Sequence, residues 1–263
     1  SMLIASRKAQ LGLNLVELMI GLVVGLVVLA AISTVYLNAS RGSRDTLNAN
    51  RLNQDLRAMM DIMVADIRRA GYWGTAAPGA TNPFTVRGNP ATDIYVTAGC
   101  ILYSYDATYN AASTAGTPDA NVDYFGFRLN GGAVQTATAF SNTNQACSND
   151  LGWQSLTDPS VINVSALTFS TASPGAGEPG SQCLNVTPSP NTTWTASDGT
   201  KAACEDTSAT GYTAPAAGNL LAETRQITIS ITANHVSDTT LTRTLTESVL
   251  VRNNRLCTFG TNC

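Results

Sequence analysis

From Leu18 to Ser40 the chain passes through 23 consecutive uncharged residues, with the densest apolar block between Leu18 and Ile32. About 20 apolar residues cross a bilayer, so this segment has membrane length. Beyond Asn38 the pattern becomes periodic. Leu52, Leu56, Met59, Met60, Met63, Val64 and Ile67 recur at three- and four-residue spacings, which predicts a helix with one apolar stripe. Arg51, Asp55, Arg57, Asp61, Asp66 and Arg68 fall mostly on the opposite side. Arg68 and Arg69 suit a helix C-terminus, and Gly71 is its expected stop. Residues 14–70 thus read as one helix, roughly 85 Å long at 1.5 Å per residue, with Gly42 as a place to bend. The first half of this helix has no soluble partner, while the second needs a sheet to bury its stripe. The methionines read as core filling.

After Gly71 the period drops to two. Residues 94–96, 101–105, 122–129 and 161–169 read as strands, and Asn130-Gly131-Gly132 as a hairpin turn leading into 133–136. Ile227, Ile229 and Ile231 alternate with Thr228, Ser230 and Thr232, the clearest half-buried strand in the chain. His235 to Thr239 reads as the turn after it, and 240–252 as its antiparallel return. No βαβ alternation occurs, so the expected class is α+β: a long helix packed on an antiparallel sheet. Two stretches, 107–121 and 171–219, lack periodicity. The second is a long Pro/Gly/Ser/Thr/Ala-rich loop, unusual inside a compact domain. Its Trp194 and Tyr212 read as packing the loop down more readily than as contact residues.

Composition narrows the chemistry. Lys and Arg number 15 against 18 Asp and Glu, a net charge of −3, with 13% of residues charged. No basic nucleic-acid-binding surface is expected. A single histidine, His235, argues against His-rich metal sites. It stands near Ser237 and Asp238, but sequence adjacency is not triad geometry. Gly131-Gly132 is a turn and no phosphate-binding loop is present. Arg243 and Glu247 lie on one strand face, where a weak surface ion pair is the expectation. No catalytic residues, no metal and no cofactor are predicted. The six cysteines, Cys100, Cys147, Cys183, Cys204, Cys257 and Cys263, include no C-x2-C pair. In an exported chain they read as three disulfides, with fifteen pairings possible. Local pairing is expected: 100 with 147, 183 with 204, 257 with 263.

Arg7 and Lys8 precede the apolar block, so the positive-inside rule keeps the N-terminus cytoplasmic and sends the C-terminus out. A cleaved secretory signal fits poorly, because Ala30-Ala31-Ile32 is a weak cleavage site followed by more helix-like sequence. A plain signal anchor on a periplasmic binding module fits the length. Neither accounts for Glu17. A carboxylate inside an apolar run costs about 2.5–3.5 kcal/mol at a helix centre, less near an end, and calls for a partner. Gly21 and Gly25 form a small-xxx-small pattern suited to close helix packing.

Gly12-Leu13-Asn14-Leu15-Val16-Glu17-Leu18, following a short basic leader, resembles the class III signal of type IV prepilins. Leu13 stands where phenylalanine is commonest, and Asn14 where serine or threonine is common. The resemblance implies cleavage between Gly12 and Leu13 by a prepilin peptidase, N-methylation of Leu13, and Glu17 as the carboxylate that neutralises a subunit amine during assembly. Loss of the leader removes Arg7 and Lys8 and moves the formal charge from −3 to −5. Further along, Asp66-Ile67-Arg68-Arg69-Ala70-Gly71-Tyr72-Trp73-Gly74 is similar to the end of the extracytoplasmic helix in PilW-type minor pilins. Tyr103-Ser104-Tyr105-Asp106, Gly126-Phe127-Arg128-Leu129 and Arg243-Thr244-Leu245-Thr246-Glu247 add to that likeness.

The resemblance implies four segments: a leader at 1–12, a transmembrane and filament-core helix at 13–38, its amphipathic extension at 39–71, and a β-rich head at 72–263 carrying the 171–219 insertion. It implies a non-enzymatic minor pilin held in the bacterial inner membrane with a periplasmic head, then assembled into an extracellular pilus. Expected partners are the prepilin peptidase, the major pilin, other minor pilins and a tip adhesin. Expected roles are initiation of pilus assembly in a tip complex, supporting twitching motility, adhesion or DNA uptake. A pseudopilin of a type II secretion system shares the signal, helix and sheet, and is the nearest rival.

Overall fold

In the computed structural model, residues 14–74, 76, 81–88, 91–107, 117–119, 122–138, 140, 147, 152–173, 180–261 and 263 are described. The chain divides into two units, one ending at Asn48 and the other spanning Ala49–Cys263. Helix α1 (Leu15–Ile67) contributes to both and runs through Gly42 without interruption. In the second unit its buried residues are Leu52, Leu56, Met59, Met60, Met63 and Ile67, the stripe that the three- and four-residue spacing predicts.

A small ribbon of β1 (Arg87–Gly88) and β2 (Ala91–Thr92) precedes a five-stranded antiparallel sheet. That sheet contains β3 (Ile94–Thr97), β4 (Cys100–Ser104), β5 (Tyr124–Asn130), β6 (Ala133–Thr138) and β7 (Gln154–Ser155), each beside the next. Asn130 pairs with Ala133 across the expected Gly131-Gly132 turn, whose glycines both have positive φ. The chain continues through β8 (Ile162–Ser170), β9 (Gln182–Asn185), β10 (Thr192–Thr195) and a 3-10 turn at Ala203–Glu205. It ends with β11 (Leu220–Thr224), β12 (Gln226–His235), β13 (Asp238–Leu250) and β14 (Arg255–Thr258). Strands β13-β12-β8 form one antiparallel sheet and β10-β9-β11-β14 another.

Three cores result. The main one joins the helix stripe to Ile101, Tyr103, Phe127, Val164, Leu167, Phe169, Ile227, Ile229 and Ile231. A second lies beyond the other face of the five-stranded sheet, around Leu102, Tyr124 and Phe140, so all five residues of β4 are buried. The third is built by Cys183, Trp194, Ala203, Cys204, Leu221 and Cys257. The 171–219 stretch is therefore more than a loop. It holds β9, β10 and the 3-10 turn, and Trp194 is its centre, donating from Nε1 to the Ala203 carbonyl at 2.8 Å with Tyr212 set edge-on at 5.5 Å. Both aromatics pack inward. The cysteines pair as 100–147, 183–204 and 257–263.

Strands β11 and β12 act as one long strand, interrupted only at Arg225, with a single face parity. Leu221 enters the third core, Ile227, Ile229 and Ile231 enter the main core, and the odd residues between them are Glu223 and Arg225. A charged belt thus separates two apolar cores along one strand.

Candidate functional site

Helix α1 begins with Asn14 next to its first turn; the Asn14 carbonyl accepts from Glu17 N at 2.9 Å and from Leu18 N at 3.2 Å. Glu17 lies in that first turn, where a carboxylate suits the positive end of the helix dipole. The large apolar residues from Leu15 to Leu37 are all exposed, at 49% to 73%. No part of the most apolar 18-residue window is buried. Such a surface is not left to water; bilayer or protein covers it. Polar side chains in this stretch hide on the helix itself. Ser33 Oγ donates to the Leu29 carbonyl and Thr34 Oγ1 to the Ala31 carbonyl, both at 2.8 Å, which suits an apolar surround. A Cβ at Gly21 or Gly25 would meet nothing within 4 Å. Among the described residues nothing requires glycine at either position. Gly12 and Leu13, the expected cleavage pair, lie outside the described residues.

The other end of α1 is anchored with unusual density. Asp66 accepts from Tyr103 Oη at 2.5 Å and from Tyr105 Oη at 2.8 Å. Burial, reinforced by the Asp66 carboxylate, raises the Tyr103 phenol well above its ordinary pKa and pushes Tyr105 up to about 12. Both tyrosines therefore remain donors at any physiological pH. Arg69 lies over the Tyr105 ring at 5.9 Å. The helix ends at Ile67, three residues short of the expected 70, and the chain tightens through a turn to Gly71, with φ +73°; Gly71 N donates to the Ser104 carbonyl at 2.9 Å. Asp106 N donates to the Tyr72 carbonyl at 2.8 Å. Asn253 Nδ2 donates to the Arg69 and Ala70 carbonyls, satisfying groups that a helix end leaves open. The Tyr-Ser-Tyr-Asp and Ala-Gly-Tyr-Trp-Gly runs, some thirty residues apart, are thus two sides of one joint.

A buried ionic network supports this joint. Arg225 pairs with Asp93 and donates to the Asn253 carbonyl. Arg255 pairs with Glu205 at 2.9 Å and Glu223 at 3.5 Å, while Glu223 also accepts from Ala203 N at 2.5 Å. Burial raises the Glu223 pKa against the fields of Arg255 and Arg225. For Arg255, burial acts downward, but the carboxylates of Glu223 and Glu205 prevail and hold its pKa up. A cavity of about 20 Å³, room for one water, lies beside Thr171, Ser181, Glu223 and Arg225. Sequence reasoning missed this network, because Asp93 and Arg225 lie 132 residues apart.

Other sequence candidates are placed as follows. Gly126, paired with Leu102 in β4, has no room for a side chain; a Cβ there would stand 2.6 Å from Leu102 Cδ2 and 2.9 Å from the Ile101 carbonyl. Arg128 stacks on Trp153 at 4.3 Å and donates to the Cys147 carbonyl at 2.7 Å. His235 is buried at the β12–β13 turn, with Nδ1 2.8 Å from Ser237 Oγ. Arg243 and Glu247 make no ion pair among the described residues: four residues along a strand span about 13 Å. Among the described residues no group of three His, Cys, Asp or Glu is placed to hold a metal.

Neither a search of the curated proteins nor one of the solved structures returns a match. A family model does match, over residues 45–251. That span takes in the sheet-covering part of α1, the helix-end joint, both runs of tyrosines and the continuous β11–β12 strand. By this match over most of its length, the chain belongs to the family described as PpdB, prepilin peptidase-dependent protein B.

Proposed function

We propose that this chain is a minor type IV pilin of the PilW type, which helps to initiate a pilus and stays in its tip complex. The observation that carries this reading is the unbroken helix whose apolar residues from Leu15 to Leu37 are all exposed, with one carboxylate, Glu17, in its first turn. Membership of a prepilin peptidase-dependent family supports it from a separate part of the chain, since the match starts at residue 45. In this account the leader faces the cytoplasm and the head the periplasm. The peptidase cuts between Gly12 and Leu13, and the freed amine of Leu13 is methylated. The helix then leaves the bilayer for the filament. There an ammonium and a carboxylate attract far more strongly than in water. Glu17 pairs with such an amine on its own or a neighbouring subunit, which fixes the axial step. Gly21 and Gly25 allow neighbouring helices to approach closely. The chain works as a structural subunit beside the major pilin, other minor pilins and a tip adhesin, in support of twitching motility, adhesion or DNA uptake. It carries out no catalysis and uses no cofactor.

The test is incorporation. Pili sheared from cells expressing the tagged chain should contain it, whereas Glu17→Ala should insert in the inner membrane normally and be absent from sheared pili. Equal amounts of both variants in the pili would remove Glu17 from its role. Absence of the unaltered chain from pili, with loss of type II secretion on its deletion, would favour the pseudopilin.

A further inference from the structure

The sheet β13-β12-β8 has an open side. Among the described residues β13 pairs with β12 alone, so one edge of a 13-residue strand offers its backbone groups to solvent. A long free edge is a template for another strand. Proteins usually blunt such edges with charge, and β13 does carry charges, but their arrangement is unusual. Between residues 238 and 252 the only charged residues are Asp238, Arg243, Glu247 and Arg252. They are antisymmetric about Leu245: an opposite charge answers each at the same distance on the other side. Arg243 and Glu247 are exposed.

We propose that β13 pairs antiparallel, edge to edge, with β13 of a second copy of this chain, with Leu245 of one opposite Leu245 of the other. In this register Arg243 faces Glu247, twice by symmetry; Arg252 lies beyond the end of β13, where its N–H donates to the Arg68 carbonyl. Leu241 faces Val249, and Thr244 faces Thr246. Moving the centre of the pairing by two residues either way sets Arg243 against Arg243 or Glu247 against Glu247, so charge selects the register. The outward face of β13 already makes such hydroxyl pairs with β12: Ser230 with Thr246 and Thr232 with Thr244, both at 2.9 Å. Pairing joins two three-stranded sheets into one of six strands. The two-fold axis of an antiparallel pair is normal to the sheet, so it reverses the direction of the 49–67 helix segment lying on the sheet's inner face. The proposed contact joins heads displayed by different membranes or different filaments.

The full chain, reconstituted in phosphatidylcholine vesicles with heads outward, should cluster the vesicles, read as turbidity. Arg243→Glu vesicles alone and Glu247→Arg vesicles alone should each cluster at least about tenfold less. Mixing the two sets should restore clustering, because the two acidic positions of one variant then face the two basic positions of the other. In detergent solution, where no insertion is needed, Leu245→Cys should form an intermolecular disulfide dimer on mild oxidation, and adding Arg243→Glu should suppress it. Arg243 is exposed and Leu245 is half-buried against the main core, so intact disulfide mapping checks the fold of both variants. No clustering and no Leu245→Cys dimer for the otherwise unaltered chain would overturn the proposal and leave the charges as guards against pairing. Undiminished clustering by Arg243→Glu, or a mixture that stays dispersed, would overturn the register. The dimer is read without a bilayer, so failure of the membrane anchor and failure of this pairing are distinguishable.

Discussion

Replacing Gly71 with alanine tests how firmly the helix is joined to the head. Gly71 has φ +73°, a conformation that costs an L-residue about 1–2 kcal/mol. The added Cβ would also overlap Asp93 Oδ2 and come within 2.5 Å of Arg225 Nη2. These atoms are tips of side chains, but they cannot swing away cheaply, since Arg225 and Asp93 are 5% and 4% exposed and paired with each other. Separating a buried pair costs about 3–5 kcal/mol. Gly218 supplies the control: it has φ +85°, and a Cβ there meets nothing within 4 Å. Gly218→Ala should therefore show only the backbone cost, and Gly71→Ala about 3 kcal/mol more. For a domain of this size that is roughly 6–12 °C in melting temperature, read by near-ultraviolet circular dichroism of the full chain in detergent. Equal losses in the two variants would refute the reasoning, because the ion pair would then not be clamped against the helix end.

Other outcomes follow from the same geometry. Burial alone would raise the Asp206 pKa, but the Asp198 N–H, the Ser208 hydroxyl and the N–H groups of Ser197 and Ser208 prevail and hold it at about 2. Its contribution is present above the ordinary carboxylate range and lost as pH falls toward that value, so Asp206→Asn should cost about 1–2 kcal/mol at neutral pH. In urea titrations over pH the gap to the parent should close near pH 2; a gap that persists there would exclude ionisation as its source. Replacing both Cys183 and Cys204 with serine should cost about 3 kcal/mol and replacing Cys257 and Cys263 about 2, following loop length. The reverse order in unfolding experiments would show that strain or residual structure outweighs chain entropy.

Much of the fold is legible because burial writes a period into the sequence. The helix stripe from Leu52 to Ile67 and the alternation at Ile227, Ile229 and Ile231 each pack against one continuous core, so each keeps its period. Strands β9 and β10 keep none. They are four residues long, and their buried residues include Cys183, Asn185 and Trp194, a mixture held by a disulfide and an indole hydrogen bond rather than an aliphatic face. Short β14 buries only Cys257, and β7 is two exposed residues, so neither writes a period. The joint at Gly71 is half legible: glycine marks a helix stop, but nothing local says that Asp93 and Arg225 lie against it. At the N-terminal end the situation reverses. Glu17, Gly21 and Gly25 stand out in the sequence because they interrupt an apolar helix, and among the described residues the two glycines have open space around them.

The central claim, that this chain is a processed pilin subunit, is tested most directly by intact-mass and N-terminal peptide mass spectrometry after co-expression with a prepilin peptidase. The account predicts loss of the first twelve residues, a new N-terminus at Leu13 carrying one methyl group, and no cut in a Gly12→Lys variant. A chain that keeps its leader beside an active peptidase, or one whose mature terminus lies beyond Ala30, would contradict it.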